Sequence, residues 1–212
     1  MTTVYLVDDE AVVRDALAFL LSSRGLSVQT FESGPALLDA LGKQRQQPGH
    51  QPGHHQARPV RGVFVLDVRM PQMSGLQLHE ALLELGLRNP VLFLSGHGDI
   101  PMVVEALKKG AFDFLEKPYS DNTLADRIAQ ALAVEAASVA DNAAALERQA
   151  RLDSLSERER EVMQRVAAGK LNKVIGDELH IAVRTVEVHR ARVFAKLGVK
   201  SAAELAGWLA SA

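Results

Sequence analysis

The sequence contains no cysteine, no long apolar run and no basic leader. Without cysteine there can be no disulfide framework and no thiolate metal site, as is typical of proteins of the reducing cytoplasm. No apolar run approaches the roughly 20 residues that cross a bilayer, so we expect no membrane partner. The start, Met1–Asp9, has no basic region ahead of its apolar stretch, so we do not expect a signal peptide. These absences predict a cytoplasmic protein.

The composition is that of a globular protein, with 47% apolar and 24% charged residues. A chain of 212 residues is long enough for one large or two modest domains. The net charge of −2 hides an asymmetry, because residues 1–152 sum to −4 and residues 153–212 sum to +2. This contrast favours a basic partner surface at the C-terminal end of the chain.

Short apolar runs alternate with segments of helical periodicity over the first 120 residues. We predict five strands, at Val4–Val7, Leu26–Phe31, Val63–Leu66, Val91–Leu94 and Phe112–Glu116. We predict the helices between them at about Val12–Leu21, Ser33–Leu41, Gly75–Leu85 and Pro101–Lys109. Short connections in this order predict an α/β fold, a five-stranded parallel doubly wound sheet with helices on both faces.

Residues 43–60 interrupt this order with a tandem repeat of Gln-Pro-Gly-His and no periodicity. We interpret the segment as a flexible insertion away from the chemistry. Its three histidines, His50, His54 and His55, also suggest a metal site, but a slipped repeat offers no fixed geometry for ligands. We therefore favour the solvated insertion over the metal site.

Polar side chains follow four of the predicted strands, and the carboxyl ends of parallel strands meet at one edge of a sheet. These side chains are Asp8, Asp9, Asp67, Ser95 and Lys117. Three crowded carboxylates repel one another and require a divalent cation, and an oxygen-rich site that is open to water suits Mg²⁺. Asp67 would then be a nucleophile that forms an acyl phosphate. The alternative is that Asp67 only caps the turn after its strand.

The residues at this edge, together with Met70-Pro71, Gly75, Gly96-His97-Gly98 and Pro118, resemble the receiver domain of two-component response regulators over residues 3 to about 133. The resemblance implies that a sensor histidine kinase donates a phosphoryl group to Asp67. It implies that Asp9, Asp67 and the backbone carbonyl of Arg69 bind Mg²⁺ directly, and that Asp8 acts through water.

The same resemblance implies a switch. Ser95 and Phe114 match a hydroxyl and aromatic pair that reorients on phosphorylation, although Phe114 is also consistent with a core residue. Residues 100–109 and 112–115 match the surface that forms phosphorylation-linked homodimers. We therefore expect a homodimer after phosphorylation of Asp67.

Residues 121–151 contain neither proline nor glycine and continue helical spacing, with alanine replacing the larger apolar residues after Val134. We predict a long helix whose second half is an exposed linker. The predicted domains are residues 1–120 with the following helix to about 133, a linker helix at 134–152 and a C-terminal domain at 153–212.

Four helices are predicted in the C-terminal domain, the third longer than the others. The fold class of the chain is therefore α/β plus all-α. Ser156 and Glu159 form a capping box, and Val174, Ile175 and Leu179 are expected to face inward. Two short helices followed by a longer one, from about Arg184 to Leu197, predict a helix-turn-helix. Residues 184–200 sum to +4, which suits DNA phosphates around a helix in the major groove. The alternative is an ordinary solvated helix face.

The segments 155–162, 172–173, 184–190 and 196–199 resemble the LuxR/FixJ-type DNA-binding domain. The resemblance implies that Glu187, Val188 and Ala191 face base edges. It places five residues near phosphates, namely Lys173, Arg184, Thr185, Arg192 and Lys196. Two departures stand out: Ala182 replaces a serine N-cap, and Gly176 replaces an alanine, at a cost of about 1 kcal/mol.

Together these patterns predict a phosphorylation-controlled transcription regulator with double-stranded DNA as its partner, and not an enzyme. A metal-dependent phosphatase would need a second acid placed for acid–base catalysis, and none is evident in the sequence. A regulator that does not need phosphorylation would not require the complete set of acids, serine and lysine.

Overall fold

A computed structural model describes residues 2–46, 60–96 and 100–210, and within them the chain forms five strands and nine helices. The strands are β1 Thr3–Val7, β2 Ser27–Phe31, β3 Gly62–Asp67, β4 Val91–Ser95 and β5 Asp113–Glu116. The helices are α1 Ala11–Ser23, α2 Gly34–Gln46, α3 Gly75–Glu84, α4 Ile100–Lys108, α5 Asp121–Asp153, α6 Glu157–Ala167, α7 Asn172–Leu179, α8 Val183–Leu197 and α9 Ala202–Ala210.

The five strands form one parallel sheet in the order β2-β1-β3-β4-β5. Strands β1, β3 and β4 are buried along their whole length, because helices cover both faces of the sheet. The predicted parallel doubly wound sheet is confirmed. Its C-terminal edge carries the ends of β1, β3, β4 and β5, and this edge positions the candidate site.

Side chains alternate between the two faces of the sheet. On one face, Tyr5 and Phe64 pack with leucines of α2 and α3. On the other face, Leu6 and Val65 pack with leucines of α1 and α5. The sheet therefore lies between two apolar layers, and this packing positions the strand ends.

The C-terminal helices α6 to α9 enclose their own core, which includes Val162, Ile175, Val193 and Leu205. Of the three α7 residues expected to face inward, Ile175 and Leu179 are buried. The prediction for Val174 is wrong, because its side chain is 42% exposed. The buried face of α7 instead includes Gly176, where the following turn approaches the helix.

Helix α5 is continuous over 33 residues, and the chain divides into two compact units between Val139 and Ala140, within this helix. Leu124, Ile128 and Ala131 are buried in the first unit. In the second unit, Arg148 lies over the ring of Trp208, with 4.2 Å between the guanidinium carbon and the ring centroid. The domain boundaries at residues 120, 133 and 152 stay predictions.

Several predicted features lie outside the described residues. They are most of the 43–60 insertion with His50, His54 and His55, and the residues His97 and Gly98. In the described part of the chain, no helix combines the length and the apolar character that a membrane span requires.

Gly176 is packed against the turn of the helix-turn-helix. A Cβ atom at this position would lie 2.8 Å from the carbonyl oxygen of Ile181, closer than real contacts allow. Replacement by alanine normally stabilises a helix interior by about 1 kcal/mol. Here the steric conflict opposes that gain.

We predict that Gly176→Ala brings no increase in the free energy of unfolding, whereas Gly207→Ala in α9 brings about 0.5–1 kcal/mol. Gly207 is the matched control, because nothing lies within 4 Å of a Cβ built there. Urea unfolding of the full chain, followed by the fluorescence of its single tryptophan, Trp208, measures both variants. An equal gain in the two variants would contradict the steric explanation.

Candidate functional site

The C-terminal edge of the sheet brings three of the predicted residues into direct contact. Lys117, which follows β5, donates from Nζ to Asp67 Oδ1 at 2.5 Å and lies 3.6 Å from Asp8 Oδ2. Asp67 ends β3, and Asp8 follows β1. Because β1 and β3 are neighbours in the sheet, Asp8 and Asp67 both lie close to the ammonium of Lys117.

The Asp67 carboxylate is held at both oxygens. Oδ1 accepts the bond from Lys117, and Oδ2 accepts a bond from the backbone N–H of Arg69 at 2.7 Å. Helix α3 begins directly against this strand end, since a Cβ at Gly75 would lie 2.2 Å from the carbonyl oxygen of Asp67. Only glycine permits this approach without a shift of the backbone. The Asp67 side chain is thus oriented by the backbone N–H of Arg69 in its own loop and by Lys117, which follows β5.

Burial dominates the electrostatics of the two acids. Loss of solvent raises the pKa of the Asp67 carboxyl, and the hydrogen bond and charge of Lys117 offset only part of this effect. Burial likewise raises the pKa of Asp8, against the opposing backbone hydrogen bond of Glu10 and the charge of Lys117. Burial alone would lower the pKa of Lys117, but its hydrogen bond and charge interaction with Asp67 raise it overall. The site holds more negative charge than its one ammonium compensates.

The three acids of this edge differ in exposure. In the part of the chain that the structure describes, no group of three or more His, Asp or Glu side chains converges as a metal site. Asp8 is 1% exposed, and its Oδ1 accepts from the N–H of Glu10 at 2.9 Å. Asp9 is exposed and lines a groove of about 520 Å³ together with Arg69. Beside burial, the charge of Asp9 contributes to the raised pKa of Asp8, and the charge of Asp8 to that of Asp67, so the expectation of three crowded carboxylates stays a prediction.

The residues present nevertheless fit a cation with few protein ligands. Asp8 Oδ2 is buried and accepts no hydrogen bond within the described structure, and Asp67 is desolvated beside it. Asp9 and Arg69 border the same groove. Mg²⁺ keeps several waters and needs only one or two carboxylates, so two acids and a backbone carbonyl suffice.

Ser95 ends β4, beside Asp67 in the sheet, and its side chain is fully buried. Its Oγ donates to the carbonyl oxygen of Gly96 at 3.3 Å, while its own carbonyl accepts from the N–H of Lys117 at 2.7 Å. Phe114 is half-buried, packs against the core and pairs in register with Phe93. The serine and the aromatic ring therefore occupy neighbouring strands.

The sequence did not indicate the role of Arg14. Its Nη1 donates to the carbonyl oxygen of Asp8 at 2.7 Å, so α1 ties down the loop that carries the acids. The helical periodicity of α1 was visible, but an arginine in the first turns of a helix gives no signal of which carbonyl it bonds.

In the second unit, the predicted DNA-contact residues lie on α7 and α8. They are exposed, namely Lys173, Arg184, Thr185, Glu187, Val188, Ala191, Arg192 and Lys196. Arg184 forms an ion pair with Glu187 at 3.2 Å. Lys196 differs from the rest, because its Nζ bonds Glu159 and the carbonyl oxygen of Ser154. Ala182 is the N-cap of α8 and makes no side-chain cap bond.

Two family models match the chain. The model of the response regulator receiver domain matches residues 4–129, and the model of bacterial regulatory proteins of the luxR family matches residues 153–209. The two matches fall on the sheet domain and on the α6–α9 helices.

Relatives and solved structures agree with both models. The transcriptional regulatory protein TdiR of Thauera aromatica is 45% identical, covering 96% of this chain and 83% of the relative. The transcriptional regulatory protein FixJ of Rhizobium meliloti (strain 1021) is 44% identical, covering 94% and 90%. The structure of the response regulator StyR is 37% identical, with a TM-score of 0.85, and covers 100% of this chain and 99% of that one. Full-length FixJ from B. japonicum is 40% identical, with a TM-score of 0.56, covering 98% and 95%.

The chain therefore belongs to the two-component response regulators that join a receiver domain to a LuxR-type DNA-binding domain, a family of transcription regulators and not of enzymes.

Proposed function

We propose that this regulator accepts a phosphoryl group on Asp67 from a sensor histidine kinase, then forms a homodimer and binds operator DNA. One observation carries the proposal. Asp67 is 7% exposed at the end of β3, is oriented at both oxygens and is bonded to Lys117 at 2.5 Å. A desolvated, oriented carboxylate beside a fixed ammonium suits nucleophilic attack on phosphorus.

In the proposed step, an Asp67 oxygen attacks the phosphorus of a phosphohistidine. The new O–P bond forms as the N–P bond breaks, and the electron pair returns to the imidazole nitrogen of the kinase. Lys117 would bind one oxygen of the transferred group, and the Ser95 hydroxyl would leave Gly96 to bind another. Ser95 ends β4, the strand beside that of the acceptor, and Lys117 follows β5, the next strand in the sheet.

Asp9, Asp67 and the backbone carbonyl of Arg69 would hold Mg²⁺, with Asp8 acting through a bound water. The ion would neutralise the charge that accumulates on the phosphoryl oxygens. Support for this assignment comes from the buried Asp8 Oδ2 without a hydrogen-bond partner and from the desolvation of Asp67.

Exposed apolar side chains support the two protein partners. Val12 and Phe19 on α1 are 83% and 78% exposed, seven residues apart and thus on one side of the helix that follows the acids. We assign this side to the kinase. Met102 and Val104 on α4 are also exposed, and we assign α4 and β5 to the homodimer. Reorientation of Ser95 and Phe114 would connect the acceptor to that surface.

For DNA, we propose that α8 enters the major groove. Glu187, Val188 and Ala191 would contact base edges, since a carboxylate accepts from the amino group of cytosine and apolar side chains contact the thymine methyl. Lys173, Arg184, Thr185 and Arg192 would contact phosphates. A regulator of this kind acts where the chromosome is, so we place it in the cytoplasm.

Incubation of the full chain with Mg²⁺ and a small phosphodonor tests the acceptor. We expect wild type to incorporate up to one phosphoryl group per chain and Asp67→Asn to incorporate none, because an amide oxygen is a far weaker nucleophile. Intact-mass spectrometry measures the product. Asp39→Asn is the control, an exposed carboxylate on α2. Incorporation by Asp67→Asn at the wild-type level would show that another residue is the acceptor.

The stability of the receiver should depend on pH through the desolvated acids. Their raised pKa values mean that the fold is favoured while they are protonated and loses that stability as pH rises through the folded-state pKa. In chelator at pH 7, we therefore expect Asp67→Asn to unfold at a higher temperature than wild type. The difference should close as pH falls below about 4, where aspartate becomes protonated in the unfolded chain as well.

Calorimetric unfolding measures this difference, with Asp39→Asn again as the control. Addition of Mg²⁺ should stabilise wild type more than Asp67→Asn, because a ligand of the folded state stabilises it by RT ln(1 + [L]/Kd), and loss of a carboxylate ligand raises Kd. A variant less stable than wild type at pH 7 in chelator would mean that the bond to Lys117 outweighs the cost of burial.

Base recognition is tested by selection of DNA from a random-sequence library. We expect Glu187→Ala and Val188→Ala to change the preferred base at one or two positions, each altered contact changing discrimination by about 1–3 kcal/mol. Glu157→Ala removes the same charge from an exposed position at the start of α6 and should select the wild-type sequence. Unchanged preferences in both α8 variants would argue that these residues do not face the bases.

A further inference from the structure

One lysine joins three helices at the corner where α5 ends and α6 begins. Lys196, in the last turn of α8, donates from Nζ to Glu159 Oε2 and to the carbonyl oxygen of Ser154, each at 2.7 Å. Ser154 directly follows α5, and Glu159 lies in the first turn of α6. The ammonium thus binds at the C-terminal end of one helix, and the carboxylate lies at the N-terminal end of the next, as their dipoles favour.

The Glu159 carboxylate accepts several hydrogen bonds at this corner. The residue is 3% exposed, and its Oε2 also accepts from the N–H of Ser156 at 2.9 Å. The hydrogen bond from Lys196 and the backbone bond from Ser156 lower the pKa of Glu159. The carboxylate is therefore charged and inaccessible to water. Withdrawal of the lysine would leave a buried charge without its counter-charge, which proteins avoid.

A second cation makes the reciprocal contact. Arg151 of α5 donates from Nη1 to the carbonyl oxygen of Leu197 at 3.1 Å, at the C-terminal end of α8. Its Nη2 bonds Glu147 Oε1 at 2.7 Å, which orients the guanidinium. Each of the two helices therefore donates from a cationic side chain to a carbonyl oxygen at the C-terminal end of the other. These charged bonds fix the C-terminal end of α8 while its first turns, with Arg184 and Val188, face solvent.

We propose that Lys196 is a positioning residue for DNA recognition, which acts through Glu159 on the orientation of α8 and does not contact a phosphate. The inference rests on the proposed binding of DNA by α8. A phosphate contact would require the ammonium to leave both Glu159 and Ser154. Arg192, exposed on the same helix, serves as the reference for a true phosphate contact.

The experiment uses the full chain and three variants, Lys196→Met, Glu159→Gln and Arg192→Met. Two duplexes serve as probes, one selected by the wild-type protein from a random-sequence library and one of unrelated sequence. The dissociation constant of each is measured over a series of salt concentrations. Unfolding followed by Trp208 fluorescence confirms that each variant is folded at the temperature of the binding assay.

The two roles predict different patterns. Arg192→Met should reduce the salt slope by about one and weaken both duplexes alike. Lys196→Met should leave the slope unchanged and weaken the selected duplex by about three- to tenfold, with little effect on the unrelated one. Glu159→Gln should reproduce that loss of specificity, although it removes a negative charge. It keeps a side-chain acceptor for the cap, so it tests the proposal even if Lys196→Met does not fold.

Two results overturn the assignment. The first is a reduced salt slope in Lys196→Met together with tighter DNA binding by Glu159→Gln, since loss of the acid would then free the lysine for phosphate. The second is a lower unfolding midpoint with unchanged dissociation constants, which would make the corner a stabilising contact only. If wild type itself shows no salt-dependent DNA binding, the proposed function fails and this inference fails with it.

Discussion

The arrangement of the first unit depends on one interaction, the contact between the buried carboxylate of Asp67 and the ammonium of Lys117. Asp67 can occupy that position only because β3 lies between β1 and β4 in the sheet, and because Gly75 lets α3 start against the strand end. Burial of an unpaired charge is very unfavourable, and Lys117 compensates only part of it. Asp8 adds a second desolvated carboxylate. The edge of the sheet is therefore short of positive charge, and this deficit favours both a cation and a reaction that consumes the carboxylate.

The second unit also contains a buried carboxylate, that of Glu159, but there the charged form is favoured. Glu159 is as buried as the acids of the receiver, yet its pKa is lowered where theirs are raised. Asp67 and Glu159 each accept from one ammonium and one backbone N–H. Desolvation is the largest influence on the pKa of Asp67 and of Asp8, whereas the hydrogen bonds are the largest influence on the pKa of Glu159. A fully compensated carboxylate stabilises a structure, whereas a partly compensated one is available for chemistry. The two units thus use buried carboxylates for opposite purposes.

The sequence predicted the features that depend on local pattern. Short apolar runs, and for β2 the alternation of apolar and polar residues, located the five strands, and the position of Asp67 after one of them pointed to the edge that carries the candidate site. Contacts between distant segments were not predictable in the same way. The sequence predicted Asp8, Asp9 and Asp67 at one edge, but it did not show that the loop after β1 buries Asp8 and exposes Asp9. Periodicity placed Val174 inside, because it cannot tell which side of a short helix faces the core.

Lys196 shows what a charge count does not register at a helix end, namely the bonds that a cation makes within the protein. A basic residue on a basic helix is counted toward DNA, although the helix termini nearby are themselves partners for cations. In this chain the C-terminal ends of α5 and α8 each bind a cation from the other helix. The ammonium of Lys196 is therefore engaged with acceptors of the protein, and the other basic residues of α8 lie before the last turn. DNA affinity would then come from few phosphate contacts, which makes the orientation of α8 decisive for specificity.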